Sequence, residues 1–361
     1  MKIKKLFLEN FRNYKTASVS FSDGQNLLFG ENAQGKTNLL EAIFYLSCLK
    51  NFHSSRDFDA VMLGENEAKI IGEFEAYGRD MEVELRIKNG SRRLYVNGIE
   101  EKRPSNHIGL IKTVVFSPDD LKLIKDGPAL RRRFLNIAIS QMRPSYIKAL
   151  AEHNRIIENK KRILKMEEGR EKYLDFLDVL NEKLAETYAY IVRERGEFIR
   201  QSAEIVKRVG FEISSGREEF ILTYSPASSI ERADDPENEK RLLEHLSARK
   251  SAELSSFSCL IGAHRDDFSV SINGKSARDF ASQGQIRSVV LALKVAEHEI
   301  LEKDGGEAPI LLLDDVLSEL DTNRRAFLIN DVNRGQTVIT GCDRAMFNEL
   351  LHGKIFTVSK G

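Results

Sequence analysis

The chain has 361 residues, enough for one large or two moderate domains with a sizeable buried core, and its 41% hydrophobic content argues against disorder. Lys and Arg number 55 and so do Asp and Glu, so any attraction to a polyanion has to come from a local patch and not from net charge. The three cysteines, at 48, 259 and 342, are odd in number and widely spaced, which argues against a disulfide framework or a Cys-x-x-Cys metal pair and favours free thiols in a reducing cytoplasm.

In chain order, "MKIKKLFLENF" is basic, but Glu9 and Asn10 break its apolar run, so it does not read as a signal peptide, and no later stretch approaches the roughly 20 apolar residues of a membrane span. Residues 1–115 are mostly strand-like. "QNLLF" predicts a short strand and "NLLEAIFYLSCL" a helix, and between them "GENAQGKT" (30–37) fits the G-x-x-x-x-G-K-[ST] phosphate loop. Each part has a chemical reason. Gly30 and Gly35 let backbone N–H groups turn into one concavity, lined also by Glu31, Asn32, Ala33 and Gln34, while the helix N-terminus entered at Asn38 favours an anion. Lys36 is the cation for the β- and γ-phosphates of a nucleotide, and the Thr37 hydroxyl is a Mg²⁺ ligand. "MEVELRI" then alternates Met81, Val83, Leu85 and Ile87, and the Asn89-Gly90 and Asn97-Gly98 turns predict an antiparallel meander.

Helical spacing takes over after "FSPDDLKLIKDGP", with Pro128 suited to a first turn. Ile147, Leu150, Ile157 and Leu164 mark a second helix, which Gly169 ends. From about 171 to 209 the series Leu177, Leu180, Leu184, Tyr188, Ile191, Phe198, Ile205 and Val209 predicts a helix on the order of 60 Å long, interrupted at Arg195 and Ser202. Two such helices form an antiparallel hairpin, either packed as a helical subdomain or projecting as an arm. "EFILTYSP" (219–226) predicts a strand, and the polar stretch after it a loop leading to another helix. "ASQGQ" (281–285) opens a predicted helix over about 285–303, where Ser282 is either a plain N-cap or part of a functional element. "ILLL" (310–313) predicts a buried strand with Asp314 and Asp315 at its carboxyl end, where α/β sheets bind ligands. Asp314 fits a Mg²⁺-holding role and Asp315, the catalytic candidate, one of orienting or deprotonating water; the alternative is that the pair only caps the next helix.

A phosphate loop, a Ser-x-Gly-Gln element, an acidic strand end and "SELD" (318–321) occur in this order in ABC-type ATPase heads, including SMC-class and DNA-repair heads, and the chain resembles them. "LFLENFRNY" (6–14), "FSPDDLKLIKDGPALRRRFLN" (116–136) and "GAHRDD" (262–267) narrow the resemblance, over nearly the whole length, to a family of bacterial recombination mediators. It implies an α/β fold, an ABC-type P-loop ATPase head with mixed sheet and antiparallel meander, and an inserted helical second domain. Residues 1–115 and 211–361 would form the head and 116–210 the insert. It implies ATP and Mg²⁺ as cofactors, ATP-dependent homodimerisation, binding to duplex DNA or single-strand/duplex junctions, and RecR, with or without RecO, as partner. By position, Ser282, Gln283, Gly284 and Gln285 would face the γ-phosphate held by the other copy's Lys36. Asp321 would be the D-loop aspartate, and Arg12 and Asn13 would lie near the nucleotide.

Three departures stand out. Ala263 replaces the family's usual proline. Gly341-Cys342-Asp343 follows the strand "TVIT" where transporter ATPases have a switch histidine. Asp315 is one methylene shorter than the glutamate of most ABC heads, although aspartate is usual in this family. Slow hydrolysis, with ATP acting mainly as a dimerisation switch, is the expectation. Arg131, Arg132, Arg133, Lys160, Lys161, Arg162 and Lys165 are candidates for a phosphate-binding stripe or are solvated helix faces. Two other readings fit less well: an SMC-type clasp needs a far longer arm, and a P-loop kinase has no use for the Ser-Gln-Gly-Gln element.

Overall fold

The computed structural model describes residues 1–51, 57–166, 168–228, 230–331, 335–342 and 353–359. The strands are β1 (Lys2–Phe11), β2 (Tyr14–Ser20), β3 (Gln25–Phe29), β4 (Glu67–Ala76), β5 (Arg79–Lys88), β6 (Ser91–Val96), β7 (Ile99–Glu100), β8 (Thr113–Phe116), β9 (Phe220–Ser225), β10 (Asp267–Ile272), β11 (Lys275–Ser276), β12 (Ile310–Leu313), β13 (Thr337–Gly341) and β14 (Lys354–Thr357). The chain divides into two compact units, Met1–Leu121 with Val290–Gly361, and Lys122–Val289.

The first unit holds two sheets. One is parallel, in the order β14-β3-β13-β12-β8. Its middle strands β12 and β13 are buried at every residue, as continuous apolar runs in a parallel sheet demand. Because β13 lies between β3 and β12, the loop leaving β3 and the acids leaving β12 emerge side by side. The other sheet is antiparallel, in the order β2-β1-β4-β5-β6-β7, with the alternating burial that leaves one face to solvent. Both predicted Asn-Gly turns form: Asn89, Gly90, Asn97 and Gly98 all have positive φ, the backbone of a tight hairpin turn that matches strand twist.

The second unit carries the three-stranded sheet β11-β10-β9 and the helices Pro128–Ser140, Pro144–Leu164, Leu174–Ile213 and Asn238–Ser256. The 40-residue helix Leu174–Ile213 buries Leu177, Leu180, Leu184, Tyr188, Ile191, Phe198 and Val209 in one stripe. It packs against Pro144–Leu164, Asn238–Ser256 and β9, so this segment is a packed subdomain and not a free arm. Arg195, an interruption in the sequence pattern, lies on the same stripe at 1% exposure. Its guanidinium donates to Asp266 (2.7 Å), the Ala263 carbonyl (2.8 Å) and Tyr146 (3.0 Å). Asp266 also accepts from Tyr188, Tyr224 (2.6 Å) and the Ala227 N–H (2.9 Å), so the "GAHRDD" motif places a fully buried, fully bonded carboxylate in the core of this unit. Burial, followed by the Asp266 charge, pushes the Tyr188 and Tyr224 phenols well above their usual range, so both stay protonated donors. The helix Gln283–Gly305 spans the residue at which the two units divide. No helix of the described residues is long and apolar enough to cross a membrane.

Candidate nucleotide-binding site

The loop from Gly30 to Gly35 joins β3 to the helix Lys36–Cys48. Gly35 has φ +104°, and a side chain there would lie 2.6 Å from the Asn13 amide, so glycine is required on both conformational and steric grounds. At Gly30 an added Cβ would sit 2.4 Å from the Val358 carbonyl. The Asn38 and Leu39 N–H groups already bond the Gly35 carbonyl (2.9 and 3.3 Å), and no acidic residue lies in the first turn to oppose an incoming anion. Lys36 folds back over the loop: its ammonium donates to the carbonyls of Gly30 and Glu31, both at 2.7 Å, and to Cys342 Sγ at 3.3 Å. Cys342 in turn donates to Asn32 Oδ1 at 2.9 Å, while Asp343 lies outside the described residues.

Thr37 and Asp314, far apart in sequence, meet at 2.8 Å between Oγ1 and Oδ1. Asp314 is buried at the end of β12, and the same oxygen accepts from Thr340 Oγ1 at 2.9 Å. Asp315, half-buried, follows with left-handed backbone, φ 51°, its N–H donating to Thr340 Oγ1 at 2.8 Å. One hydroxyl and one carboxylate in contact suit Mg²⁺, a hard cation commonly held by one or two protein oxygens together with phosphates and water. Among the described residues no group of three or more His, Cys, Asp or Glu forms a self-sufficient metal cage.

The N-terminal pair is placed in two ways. Asn13 lies against the loop, donating to the Gln34 carbonyl (3.4 Å) and accepting from the Asn38 amide (2.7 Å). Arg12 is held in a two-pronged ion pair with buried Glu41 (2.8 and 2.7 Å) on the phosphate-loop helix, and it also donates to the Asp59 carbonyl. Tyr14 completes this support by donating to the Gly35 carbonyl at 3.1 Å. Tyr14, Glu41 and Thr340 were not found by sequence reasoning, and Cys342 was noted there only as standing where transporter ATPases have a switch histidine. Their signal is spatial, since "TVITGC" reveals a site only once β13 is known to lie between β3 and β12.

Ser282 and Gln285 form a reciprocal cap at the start of the helix Gln283–Gly305. The Gln285 N–H donates to Ser282 Oγ (3.2 Å) and the Ser282 N–H to Gln285 Oε1 (2.9 Å). Gln285 Nε2 is anchored to Glu218 at 2.8 Å. Ser282 and Gln283 are exposed and Gly284 half-buried, so the cap stands at the surface of the second unit. Asp321, in the first unit, caps the helix Thr322–Asp331 through the Arg324 N–H (3.0 Å) and pairs with the Arg324 side chain.

The basic candidates do not form one surface. Lys160 is 1% exposed and bonds Asn181 (2.6 Å) and Glu253 (2.9 Å); Arg131 is 4% exposed and pairs through both prongs with Asp267 (2.6 and 2.9 Å). Both cations are consumed inside the second unit and drop out as nucleic-acid contacts. Arg132, which donates to the Asp266 carbonyl (2.9 Å), is half-buried, as are Arg133 and Lys161, while Arg162 and Lys165 are exposed.

The family model described as the RecF/RecN/SMC N terminal domain matches residues 2–360. The DNA replication and repair protein RecF of Listeria monocytogenes serotype 4b is 38% identical over 366 residues, covering 100% of this chain and 99% of that protein. A solved structure of the recombination mediator protein RecF-ATPrS in the RecFOR pathway superposes with a TM-score of 0.91 at 35% identity, covering 100% of this chain and 96% of that one. The Smc head domain of Pyrococcus furiosus, solved with the C-terminal domain of ScpA, shares the fold at a TM-score of 0.57 and 19% identity, over 99% and 94% of the two chains. The phosphate loop at the carboxyl edge of a parallel sheet, the flanking antiparallel sheet and these matches agree: the fold is that of an ABC-type ATPase head, and the chain belongs to the RecF family of DNA replication and repair proteins.

Proposed function

We propose that the chain is an ATP-dependent DNA-binding protein of recombinational repair and replication, in which ATP on the phosphate loop of one copy is covered by Ser282–Gln285 of a second. The observation that carries this reading is the contact of Thr37, next to Lys36 in the phosphate loop, with Asp314 at 2.8 Å, at the carboxyl edge of the parallel sheet. The loop N–H groups and the helix N-terminus bind the phosphates, and Lys36 leaves the Gly30 and Glu31 carbonyls for the β- and γ-oxygens. Thr37 and Asp314 are the residues that would hold Mg²⁺, which would supply charge neutralisation at the phosphates. Asp315 orients the attacking water and accepts its proton. On the partner, the exposed cap at Ser282 offers a hydroxyl and a helix N-terminus to the γ-phosphate, and Asp321 lies at the same interface.

Hydrolysis is slow, not well above about 1 s⁻¹, in keeping with a cysteine after Gly341 in place of a switch histidine and with Asp315 one methylene shorter than glutamate. ATP therefore acts as a dimerisation switch on duplex DNA or single-strand/duplex junctions in the cytoplasm, with RecR, alone or with RecO, as the protein partner. The packing of Leu174–Ile213 along its length supports this reading over an SMC-type clasp.

The test is sedimentation of wild type, Lys36→Ala and Ser282→Arg in ATP and in ADP, with and without duplex DNA. Dimers should form in ATP only, vanish in Lys36→Ala with loss of nucleotide, and vanish in Ser282→Arg with nucleotide still bound. ATP-independent dimers, or a dimeric Ser282→Arg variant, would sink the reading.

A further inference from the structure

We propose that Thr340 is a positioning residue for hydrolysis: its hydroxyl ties the backbone of Asp315 to the carboxylate of Asp314 and so fixes where the Asp315 side chain points. The inference rests on the reading of Asp315 as the water-orienting carboxylate.

Leu313 of β12 pairs with Ile339 of β13, which sets Thr340 beside the end of β12, 1% exposed. Its Oγ1 makes two bonds, donating to Asp314 Oδ1 at 2.9 Å and accepting from the Asp315 N–H at 2.8 Å. A hydroxyl has one proton to give and lone pairs to receive, so serine or threonine can make both bonds, whereas isosteric valine can make neither. Asp315 adopts φ 51° and ψ 21°. Aspartate enters that left-handed conformation more readily than most non-glycine residues, and hydrogen bonds to its backbone help to hold it there. Two side-chain hydroxyls restrain Asp315 among the described residues: Thr340 at its N–H, and Ser318 Oγ, which donates to its carbonyl (2.7 Å) and more weakly to its Oδ1 (3.2 Å).

Because Asp314 Oδ1 also accepts from Thr37, a continuous run of hydrogen bonds leads from the first turn of the phosphate-loop helix through Asp314 and Thr340 to the Asp315 backbone. Here one side chain ties the metal-side carboxylate to the backbone N–H of the residue that carries the water-side carboxylate. In the sequence Thr340 has no visible role, because it only continues the β pattern of "TVIT".

The test compares Thr340→Val, Thr340→Ser, Thr340→Ala and Asp315→Asn, following ATP affinity, ATP-dependent dimerisation, melting temperature and single-turnover hydrolysis. Thr340→Val should lower the hydrolysis rate about 10- to 100-fold, as expected when a reacting group is misplaced by a fraction of an ångström to one ångström, while ATP affinity and dimerisation are retained. Thr340→Ser should recover most of the rate and Thr340→Ala should not; this pair decides the matter even if the valine variant fails to fold. A wild-type rate in Thr340→Val, equal losses in Ser and Ala, or a hydrolysis loss that only tracks weakened ATP binding would overturn the proposal. Wild-type hydrolysis in Asp315→Asn would remove the reading of Asp315 and the proposal with it. An inactive Asp315→Asn beside an active Thr340→Val would remove the proposal alone.

Discussion

Arg195 and Asp266 show what a single buried charge demands of its neighbours. With Asp266 fully buried, removing Arg195 leaves a carboxylate bonded only to neutral donors. Arg195→Met should lower the unfolding free energy by about 3–5 kcal/mol, the range for breaking a buried pair from one side, measured by urea denaturation. Nearby, His153 is fully buried with its Nε2 accepting the Ala263 N–H (3.1 Å). Burial first, then the charges of His264, Arg195 and Lys160, hold its pKa down to about 3, and burial holds His264 down to about 4. Both are neutral in the fold and take up protons near pH 6.5 when unfolded. Their contribution is present above that pH and is lost as pH falls toward 3 to 4, by up to about 1.4 kcal/mol per pH unit for His153. His153→Gln should therefore flatten the fall in stability between pH 6.5 and 4, and an unchanged slope would count against the assignment.

At the level of elements, Ser282 has a structural duty as well as a proposed functional one. Ser282→Ala removes the acceptor for the Gln285 N–H and should cost about 1 kcal/mol of stability, seen as a small drop in melting temperature. Local patterns were legible in the sequence: the phosphate loop between strand and helix, the four apolar residues of β12, both Asn-Gly turns and the stripe of Leu174–Ile213 all follow from spacing within one element. The fates of the cations were not, because they depend on distant partners. Lys160 finds Glu253 and Arg131 finds Asp267, positions more than ninety residues away in each case. A basic run on a helix looks the same in sequence whether a carboxylate waits opposite it or only solvent does. Thr340 was hidden for a related reason, since sheet order and not strand pattern places it beside Asp314.

For the whole molecule, zero net charge means that the proposed DNA affinity has to come from a local basic patch, whose phosphate contacts would set its salt dependence. Reversing the exposed Arg162 and Lys165 to Glu should weaken duplex binding evenly across sequences. It should also reduce the salt slope by about one unit for each phosphate that is no longer neutralised, measured by fluorescence anisotropy at several ionic strengths. Reversal without effect would place the DNA elsewhere on the surface, while the buried Arg131 and Lys160 are expected to affect stability and not salt dependence. The bonding of Cys342 to Lys36 and Asn32 has a practical consequence for such experiments. Cys342 is exposed, whereas Cys48 and Cys259 are buried, each thiol pushed up to about 11 chiefly by that burial. A maleimide dye should therefore label the chain once, beside the phosphate loop, and the degree to which nucleotide protects that sulfur from alkylation would report loop occupancy in every copy without any engineered tag.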